Sequence, residues 1–339
     1  MHSEQLLADW RDKAIRFESE IEKAIIGQPR AIRLMTIAVF SRGHVLLEGN
    51  VGVGKTTLLR AVSIAIGGEY ERIEGTIDLM PADLIYYTYL DEKGRPRVDP
   101  GPVLRHGERL STFFFNEINR ARPQVHSLLL RIMAERSVSA FNREFRFPYL
   151  QVFADRNRVE KEETFELPAA ARDRFLLEIA MDYPGDDDIL DQLTFDPRFH
   201  DVDRLLSAVT QGVLPYRELD TVAAAIQNDI QASPTLRAYT RDLWRASHEP
   251  DRFGISLPDV DMSELIQAGA SPRGMSYLVR AARVHAWLQG RDRVIPEDVQ
   301  AVFYPAMAHR VFLKPAYEYR RDELVPGLVE KILHSIAAP

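Results

Sequence analysis

The sequence contains no cysteine, which excludes disulfide bonds and thiolate-bound metal sites. Its apolar runs fall short of the roughly 18–20 residues that a membrane-spanning helix needs, so we expect no transmembrane segment. The first residues, Met1–Gln5, have neither a basic start nor an apolar stretch. We therefore expect no signal peptide and a cytoplasmic location. A formal net charge of −7 disfavours a protein whose main task is to grip a nucleic-acid backbone.

Hydrophobic residues make up 45% of the 339 residues and charged residues 27%, which is typical of a globular protein long enough for two domains. Residues 44–183 alternate short apolar runs with amphipathic stretches, a pattern that predicts an α/β domain with a parallel sheet covered by helices. Helical signals dominate after Tyr183-Pro184-Gly185. The predicted division is an α/β domain over 1–184 and a smaller, mostly α-helical domain over 185–339.

Four apolar segments predict strands, and Lys55–Ile66 predicts a helix ended by glycine. The predicted strands cover His44–Glu48, Thr112–Phe115, Tyr149–Ala154 and Leu176–Ala180. A hairpin is predicted over 86–98, with its turn at Asp91–Gly94. This hairpin interrupts the alternation of strands and helices, so it is either a partner-contacting insertion or a plain surface loop.

The segment Gly49–Thr56 fits the phosphate-binding pattern G-x-x-x-x-G-K-[ST] and lies between a predicted strand and a predicted helix. Glycines allow the tight turn that aims backbone N–H groups at phosphate oxygens, and the helix N-terminus adds a positive dipole. Lys55 can reach the β- and γ-phosphates, and the Thr56 hydroxyl can ligate Mg²⁺. The predicted ATP-binding residues here are Gly49, Asn50, Val51, Gly52, Val53, Gly54, Lys55, Thr56 and Thr57.

A second part of the site is predicted where the strand Phe113–Phe115 ends at Asn116-Glu117. Glu117 is the predicted general base or orienter of the attacking water. Asn116 stands where an aspartate normally contacts the metal shell. Its amide oxygen can accept a hydrogen bond from a metal-bound water but carries no negative charge, so we expect a weakened Mg²⁺ site in which Thr56 and Asn116 take part.

These motifs resemble those of the MoxR family of AAA+ ATPases, and the resemblance covers about residues 20–310. Further segments that carry it are Ile25–Gln28, Arg72–Asp83, Gly101–Val103, Glu117–Ala121, Leu167-Pro168, Asp173–Phe175, Gly269–Arg273, Gly290–Asp292 and His309-Arg310. The resemblance implies an AAA+ P-loop core with a parallel five-stranded sheet and a helical lid domain. It also identifies the hairpin near 86–98 as the family's helix-2 insert.

Roles for further residues follow from the resemblance alone. Ile26 and Gly27 are expected to pack on adenine, and Asn157 to position water or the γ-phosphate. Arg174 is expected to act in trans on a neighbouring subunit's ATP, and Arg273 to sense the γ-phosphate from the lid. Each arginine, Arg120 included, could instead be a surface or capping residue. An arginine finger requires head-to-tail interfaces, which close into rings, and the resemblance implies a homo-hexamer.

Two departures accompany Asn116: Asp155-Arg156 replaces the usual Thr-Gln, and Arg158 replaces a proline. The combination resembles the subgroup associated with bacterial methanol dehydrogenase maturation. It implies a role in inserting metal into a periplasmic enzyme or in assembling one. The nucleotide motifs and the inserted hairpin together lead us to expect a chaperone-like ring that uses ATP to remodel a client protein or complex, with a von Willebrand A-type adaptor.

Two other hypotheses remain open at this point. In the first, Asn116 leaves ATP binding intact but hydrolysis slow, so that the protein is a nucleotide-dependent switch or scaffold. Replacing Asn116 with aspartate should then raise turnover sharply. In the second, the protein is a DNA-acting AAA+ motor, which the acidic charge and the lack of a nucleic-acid motif both disfavour.

Overall fold

The structure, a computed structural model, describes residues 2–158 and 164–339. The chain forms two compact units. One comprises Asp12–Arg174 and Ile179–Asp220, and the other comprises Phe175–Glu178, Thr221–Pro339 and the first residues up to Arg11. The compact units thus divide at Asp220, whereas the domain boundary near residue 184 stays a prediction.

The elements up to residue 207 include nine strands and eight α-helices in the described residues. The strands are β1 (His44–Gly49), β2 (Glu69–Glu74), β3 (Tyr86–Leu90), β4 (Pro96–Pro100), β5 (Leu110–Asn116), β6 (Ser137–Ala140), β7 (Arg143–Arg146), β8 (Gln151–Asn157) and β9 (Phe175–Met181). The helices are α1 (His2–Glu22), α2 (Pro29–Phe40), α3 (Lys55–Ile66), α4 (Pro81–Ile85), α5 (Pro123–Glu135), α6 (Ala169–Arg172), α7 (Asp187–Phe195) and α8 (Val202–Ser207).

The remaining elements are mainly helical, as predicted. The helices are α9 (Leu219–Asp229), α10 (Pro234–Ala246), α11 (Met262–Leu265), α12 (Pro272–Leu288), α13 (Pro296–Met307), α14 (Pro315–Glu318) and α15 (Arg321–Ser335). Two short strands, β10 (Ile266–Ala268) and β11 (Phe312–Leu313), pair antiparallel. The Ser271 hydroxyl accepts a hydrogen bond from the Gly274 amide at 3.2 Å and so caps the N-terminus of α12.

Five strands form a parallel sheet in the order β2-β5-β8-β1-β9, which confirms the predicted fold class. The centre of the sheet is apolar on both faces, and Phe113, Phe114 and Phe115 are buried. The register pairs Glu74 with Asn116 and Gly49 with Asn157. Because the strands are parallel, these four residues lie at one edge of the sheet, where the carboxyl ends of the strands meet.

Two antiparallel hairpins accompany the sheet. Strands β3 and β4 form the hairpin that was expected near residues 86–98, and Gly94 in its turn adopts φ +71°. The second hairpin consists of β6 and β7 and was not predicted. Among the residues that the structure describes, no helix is long and apolar enough to cross a membrane.

Arg42 joins three parts of the first compact unit and is only 6% exposed. Its Nε donates to Asp220 Oδ1 at 2.7 Å, its Nη1 to Gln151 Oε1 at 2.8 Å, and its Nη2 to the Tyr149 carbonyl at 2.8 Å. These bonds tie the chain just before β1 to the start of β8. Removing the guanidinium would leave the buried Gln151 oxygen without its donor and would release two partly exposed acceptors, Asp220 and the Tyr149 carbonyl.

We expect Arg42→Met to lower the free energy of unfolding by about 2–4 kcal/mol, because the buried Gln151 oxygen loses a charged donor and two further hydrogen bonds are lost with it. Arg60→Met is the matched control, since Arg60 pairs at the surface with an Asp203 side chain that is 82% exposed. The control should cost at most about 1 kcal/mol. Urea unfolding followed by circular dichroism measures both variants. Equal losses would contradict the structural role of Arg42.

Candidate nucleotide-binding site

The loop between β1 and α3 has the backbone that a phosphate-binding loop requires. Gly52 and Gly54 adopt φ +84° and +88°, in the left-handed region that favours glycine. Gly49 is needed for a different reason: a Cβ there would lie 2.4 Å from the Met181 carbonyl oxygen on β9. The loop therefore has the tight turn that was predicted. Positive φ angles favour glycine at positions 52 and 54, and close packing against β9 requires it at position 49.

The N-terminus of α3 can hold phosphate. Gly54 is the N-cap residue and provides no side-chain hydrogen bond to the first turn. The first backbone N–H groups of a helix have no partner within the helix, and the helix dipole favours negative charge there. A Cβ at Gly52 would meet nothing within 4 Å, so this part of the loop is open. These features fit the phosphates of ATP.

The Lys55 side chain is buried and lies inside the loop. Its Nζ donates to the carbonyls of Gly49 and Asn50, both at 2.9 Å, and to Asn157 Oδ1 at 2.8 Å. An ammonium group only donates hydrogen bonds, so the oxygen of the Asn157 amide must face Lys55. The predicted sensor residue and the predicted phosphate-binding lysine are therefore in direct contact.

The predicted magnesium ligands lie close together. The Thr56 hydroxyl is 3.4 Å from Asn116 Oδ1, and both are hard oxygen donors of the kind that Mg²⁺ prefers. Asn116 is buried and its Nδ2 donates to Glu74 Oε1, at the end of the neighbouring strand β2. These residues fit a Mg²⁺ ion bound to nucleotide phosphates, with Asn116 contacting its water shell.

Glu117 begins the segment after β5 with φ +51°, an uncommon backbone conformation for a residue with a side chain. Its amide donates to Asp155 Oδ1 at 2.5 Å, which holds the turn. Its carboxylate accepts from Asn157 Nδ2 at 3.1 Å and from Arg120 Nη1 at 3.0 Å. Two separate donors therefore fix the orientation of the predicted general base.

Asp155 is 2% exposed and lies beside the catalytic candidates on β8. Burial raises its pKa to about 6, and the nearby charges of Glu117 and Glu74 act in the same direction. The hydrogen bond from the Glu117 amide and the charge of Lys55 oppose this rise. A buried carboxyl group with a raised pKa thus holds the backbone of the predicted base.

The predicted adenine segment lies next to the phosphate loop. A Cβ at Gly54 would be 3.4 Å from Ile25 Cδ1, which places the residue before Ile26 against the loop. Gly27, at φ +74°, lies so close to Pro184 and Ile189 that a Cβ would meet them at 3.1 and 2.9 Å. The structure therefore places Ile25 against the loop and Gly27 against Pro184 and Ile189. The contact of Ile26 and Gly27 with adenine stays a prediction.

The two remaining predicted arginines, Arg174 and Arg273, belong to different compact units. Arg174 follows α6, and its Nη1 donates to the Ala170 carbonyl at 2.8 Å. Arg273 is the second residue of α12 in the other compact unit. Their roles stay predictions.

Two residues of the site carry no clear signal in the sequence. The sequence marks Asp155 only as a position that differs from the family pattern. It assigns no role to Glu74, which lies at the end of a strand. The structure shows Asp155 holding the Glu117 amide and Glu74 holding the Asn116 amide. Only the strand order β2-β5-β8 reveals these contacts, because each of them joins neighbouring strands.

The raised pKa of Asp155 predicts a pH-dependent stability of the nucleotide-free protein. The folded state binds this proton more tightly than the unfolded state, so ionisation costs stability as pH rises from about 4 to about 6. Asp155→Asn removes that cost and keeps an oxygen for the Glu117 amide. Relative to wild type, its free energy of unfolding should rise by up to about 3 kcal/mol between pH 4 and pH 7.

Chemical denaturation across this pH range measures the difference. Asp203→Asn is the control, because the Asp203 side chain is 82% exposed, and its difference from wild type should stay nearly constant. A pH-independent difference for Asp155→Asn would contradict the assignment.

Comparisons with known families agree with this geometry. The profile of the family described as "ATPase family associated with various cellular activities (AAA)" matches residues 44–177, and that of the "AAA lid domain" matches residues 261–330. Among solved structures, a proposed ATPase of Cytophaga hutchinsonii superimposes with a TM-score of 0.83 at 27% identity. The match covers 100% of this chain and 98% of that chain.

Curated relatives are similar over nearly the whole chain. Protein MoxR of Methylorubrum extorquens is 66% identical over 98% of this chain and 97% of its own length. Protein MoxR of Paracoccus denitrificans is 57% identical over 98% of each. Chaperone MoxR1 of Mycobacterium tuberculosis is 34% identical over 94% of this chain and 81% of its own length. The chain therefore belongs to the MoxR family of AAA+ ATPases.

Proposed function

We propose that this protein is a Mg²⁺-dependent ATPase whose turnover drives the chaperone-like remodelling of a client protein. The observation that carries the proposal is the shared environment of Lys55, Asn157 and Glu117 at one edge of the sheet. A phosphate-binding cation and a general base are joined there through one amide. Membership of an ATPase family supports hydrolysis in general, and the residue roles and the metal requirement belong to this proposal.

The chain's own groups suffice to bind and orient ATP. Backbone N–H groups of Gly49–Thr56 hold the phosphates, and Ile26 and Gly27 contact the adenine. Thr56 would bind Mg²⁺ and Asn116 would contact its water shell, and the bound ion would supply positive charge beside the phosphates. A γ-phosphate oxygen competes with Asn157 for the Lys55 ammonium, because an anionic acceptor makes the stronger hydrogen bond.

Hydrolysis requires a base beside the γ-phosphate. Glu117 accepts a proton from the attacking water, and Asn157 and Arg120 hold its carboxylate in place. Asn157, once its oxygen is released from Lys55, is able to orient the water or the γ-phosphate.

We further propose that the active form is a homo-hexameric ring. Arg174 then stabilises the transition-state charge at the neighbouring subunit's ATP, and Arg273 couples the lid to the state of the bound nucleotide. Head-to-tail interfaces, which an arginine acting in trans requires, close into rings. The family resemblance of the motifs at both arginines supports these roles.

The proposed biological role is the maturation of a metalloenzyme or a related complex, with methanol dehydrogenase activation as the leading case. The Asn116 and Asp155-Arg156 signature supports it, as do the near-full-length matches to the two MoxR proteins. A client protein and a von Willebrand A-type adaptor are the expected partners. A cytoplasmic location is also part of the proposal, because ATP is available there.

A second candidate function rests on the neutral amide of Asn116. Without a carboxylate at that position, the protein could bind ATP tightly and hydrolyse it too slowly to perform work. It would then act as a nucleotide-dependent switch or scaffold. The measurement below separates this candidate from the remodelling ATPase.

ATP hydrolysis should require Mg²⁺ and should rise cooperatively with protein concentration as rings assemble. Lys55→Ala is the blank and should show no turnover, because its loop lacks the cation that holds the β- and γ-phosphates. Phosphate release measured over a range of protein concentrations tests both points. Tight ATP binding with negligible turnover at every concentration, with or without a partner, would favour the switch.

Mixing two inactive variants tests the role of Arg174 in trans. Arg174→Ala and Glu117→Gln should each lower turnover at least about 100-fold, given the usual contribution of an arginine finger. Mixed rings should regain activity, because the intact Arg174 of one subunit can serve the intact Glu117 of its neighbour. Arg198→Ala, at an exposed arginine paired with Asp196, is the control and should keep wild-type turnover. Near-normal activity of Arg174→Ala alone would rule out this role.

A further inference from the structure

The neutral residue at the metal site has a charged neighbour. Glu74 ends β2 in register with Asn116 on β5, and its Oε1 accepts a hydrogen bond from Asn116 Nδ2. Its other oxygen, Oε2, accepts from Arg72 Nη2 at 2.9 Å. A carboxylate, partly offset by its surface ion pair with Arg72, therefore lies one hydrogen bond away from the position that lacks one.

The contact with Glu74 determines which way the Asn116 amide points. An ionised carboxylate only accepts hydrogen bonds, so the NH₂ group of Asn116 must face Glu74. The carbonyl oxygen then faces the Thr56 hydroxyl, 3.4 Å away. With a neutral hydrogen-bonding partner in place of Glu74, either orientation of the amide would be possible.

The backbone holds this pair together. The Gly75 amide donates to the Asn116 carbonyl at 2.7 Å. A Cβ at Gly75 would lie 2.2 Å from the Glu117 carbonyl oxygen, so the two chain segments are as close as glycine permits. Main-chain contacts thus fix the backbone of Glu74 beside Asn116. Its half-exposed carboxylate is held by the hydrogen bonds from Asn116 Nδ2 and Arg72 Nη2.

We infer that Glu74 is a positioning residue for the Mg²⁺ site: it presents the Asn116 oxygen toward Thr56 and supplies the negative charge that position 116 lacks. The inference rests on the proposed function. A carboxylate at one remove attracts the cation less than one in direct contact, because Coulomb energy falls with distance. It also polarises the amide, which strengthens the amide oxygen as an acceptor. In this account the negative charge of the metal site is provided by Glu74 on β2 and not by residue 116 on β5.

Four proteins test this inference: wild type, Glu74→Gln, Asn116→Asp and the double variant. The measured quantity is the Mg²⁺ concentration at which the increase in affinity for a fluorescent ATP analogue is half-maximal. Mn²⁺ binding, measured by electron paramagnetic resonance, is a second probe. Glu74→Gln should raise the half-maximal concentration at least about fivefold, because the amide loses both its fixed orientation and the adjacent charge. In the Asn116→Asp background the same change should matter less than about twofold, because the new aspartate carries the charge itself.

Thermal unfolding of the nucleotide-free proteins gives an independent readout. Asn116→Asp alone places two carboxylates within hydrogen-bonding distance, so its Tm should fall below that of wild type. Glu74→Gln added to it should restore the Tm, because glutamine donates to the new carboxylate. The effects of the two substitutions would then be non-additive, both on the half-maximal Mg²⁺ concentration and on the Tm. Glu69→Gln, at the other end of β2, is the control and should change neither readout.

Equal effects of Glu74→Gln in the wild-type and Asn116→Asp backgrounds would overturn the inference, as would wild-type Mg²⁺ dependence in Glu74→Gln. The far-ultraviolet circular dichroism spectra of the four nucleotide-free proteins should be the same, which shows that each is folded. If wild type binds the analogue with the predicted Mg²⁺ dependence but hydrolyses no ATP, the proposed function fails while this inference stands. If wild type binds no analogue at all, both are overturned.

Discussion

The parallel pairing of β2, β5, β8 and β1 brings four strand ends to one edge of the sheet, and the candidate site depends on that arrangement. Gly49 and Asn157 are opposite each other in the register, and so are Glu74 and Asn116. Groups that are far apart in the sequence become neighbours only because the strands run in the same direction. A slip of one residue in either register would turn these side chains to the other face of the sheet.

Hydrogen-bond chemistry then orders the side chains at this edge. Lys55 only donates and an ionised Glu117 only accepts, so the Asn157 amide between them has one allowed orientation. Asn116, between Glu74 and Thr56, is oriented by the same logic. Two amides are thereby fixed without strain. Each is placed where a bound nucleotide would change its partners, since phosphate oxygens compete for Lys55 and a cation competes for the Asn116 oxygen.

The local motifs of the site could be predicted from the sequence, because their geometry is built into short segments. Gly52 and Gly54 specify the turn, Lys55 starts the helix, and the apolar run before Asn116 specifies a central strand. The helical C-terminal part follows from local patterns in the same way, whereas the five-stranded sheet was implied by the family resemblance and is confirmed.

Contacts between strands could not be predicted in this way. Glu74 and Asp155 act on β5 from the strands on either side of it, and a single sequence does not reveal strand order. The second hairpin, β6–β7, is short and weakly patterned, which explains why its residues gave no clear signal. The compact unit that holds the site also continues to Asp220, beyond the point where the sequence pattern changes near residue 184.

A crystal structure of the Glu117→Gln variant with ATP and Mg²⁺ tests the central claim most directly. The account predicts the triphosphate within the loop Gly49–Thr56, with Lys55 on the β- and γ-phosphates and no longer on Asn157. It also predicts Mg²⁺ on Thr56, with the Asn116 oxygen toward its water shell. A nucleotide bound elsewhere, or a Lys55 that stays on Asn157 with ATP present, would contradict it.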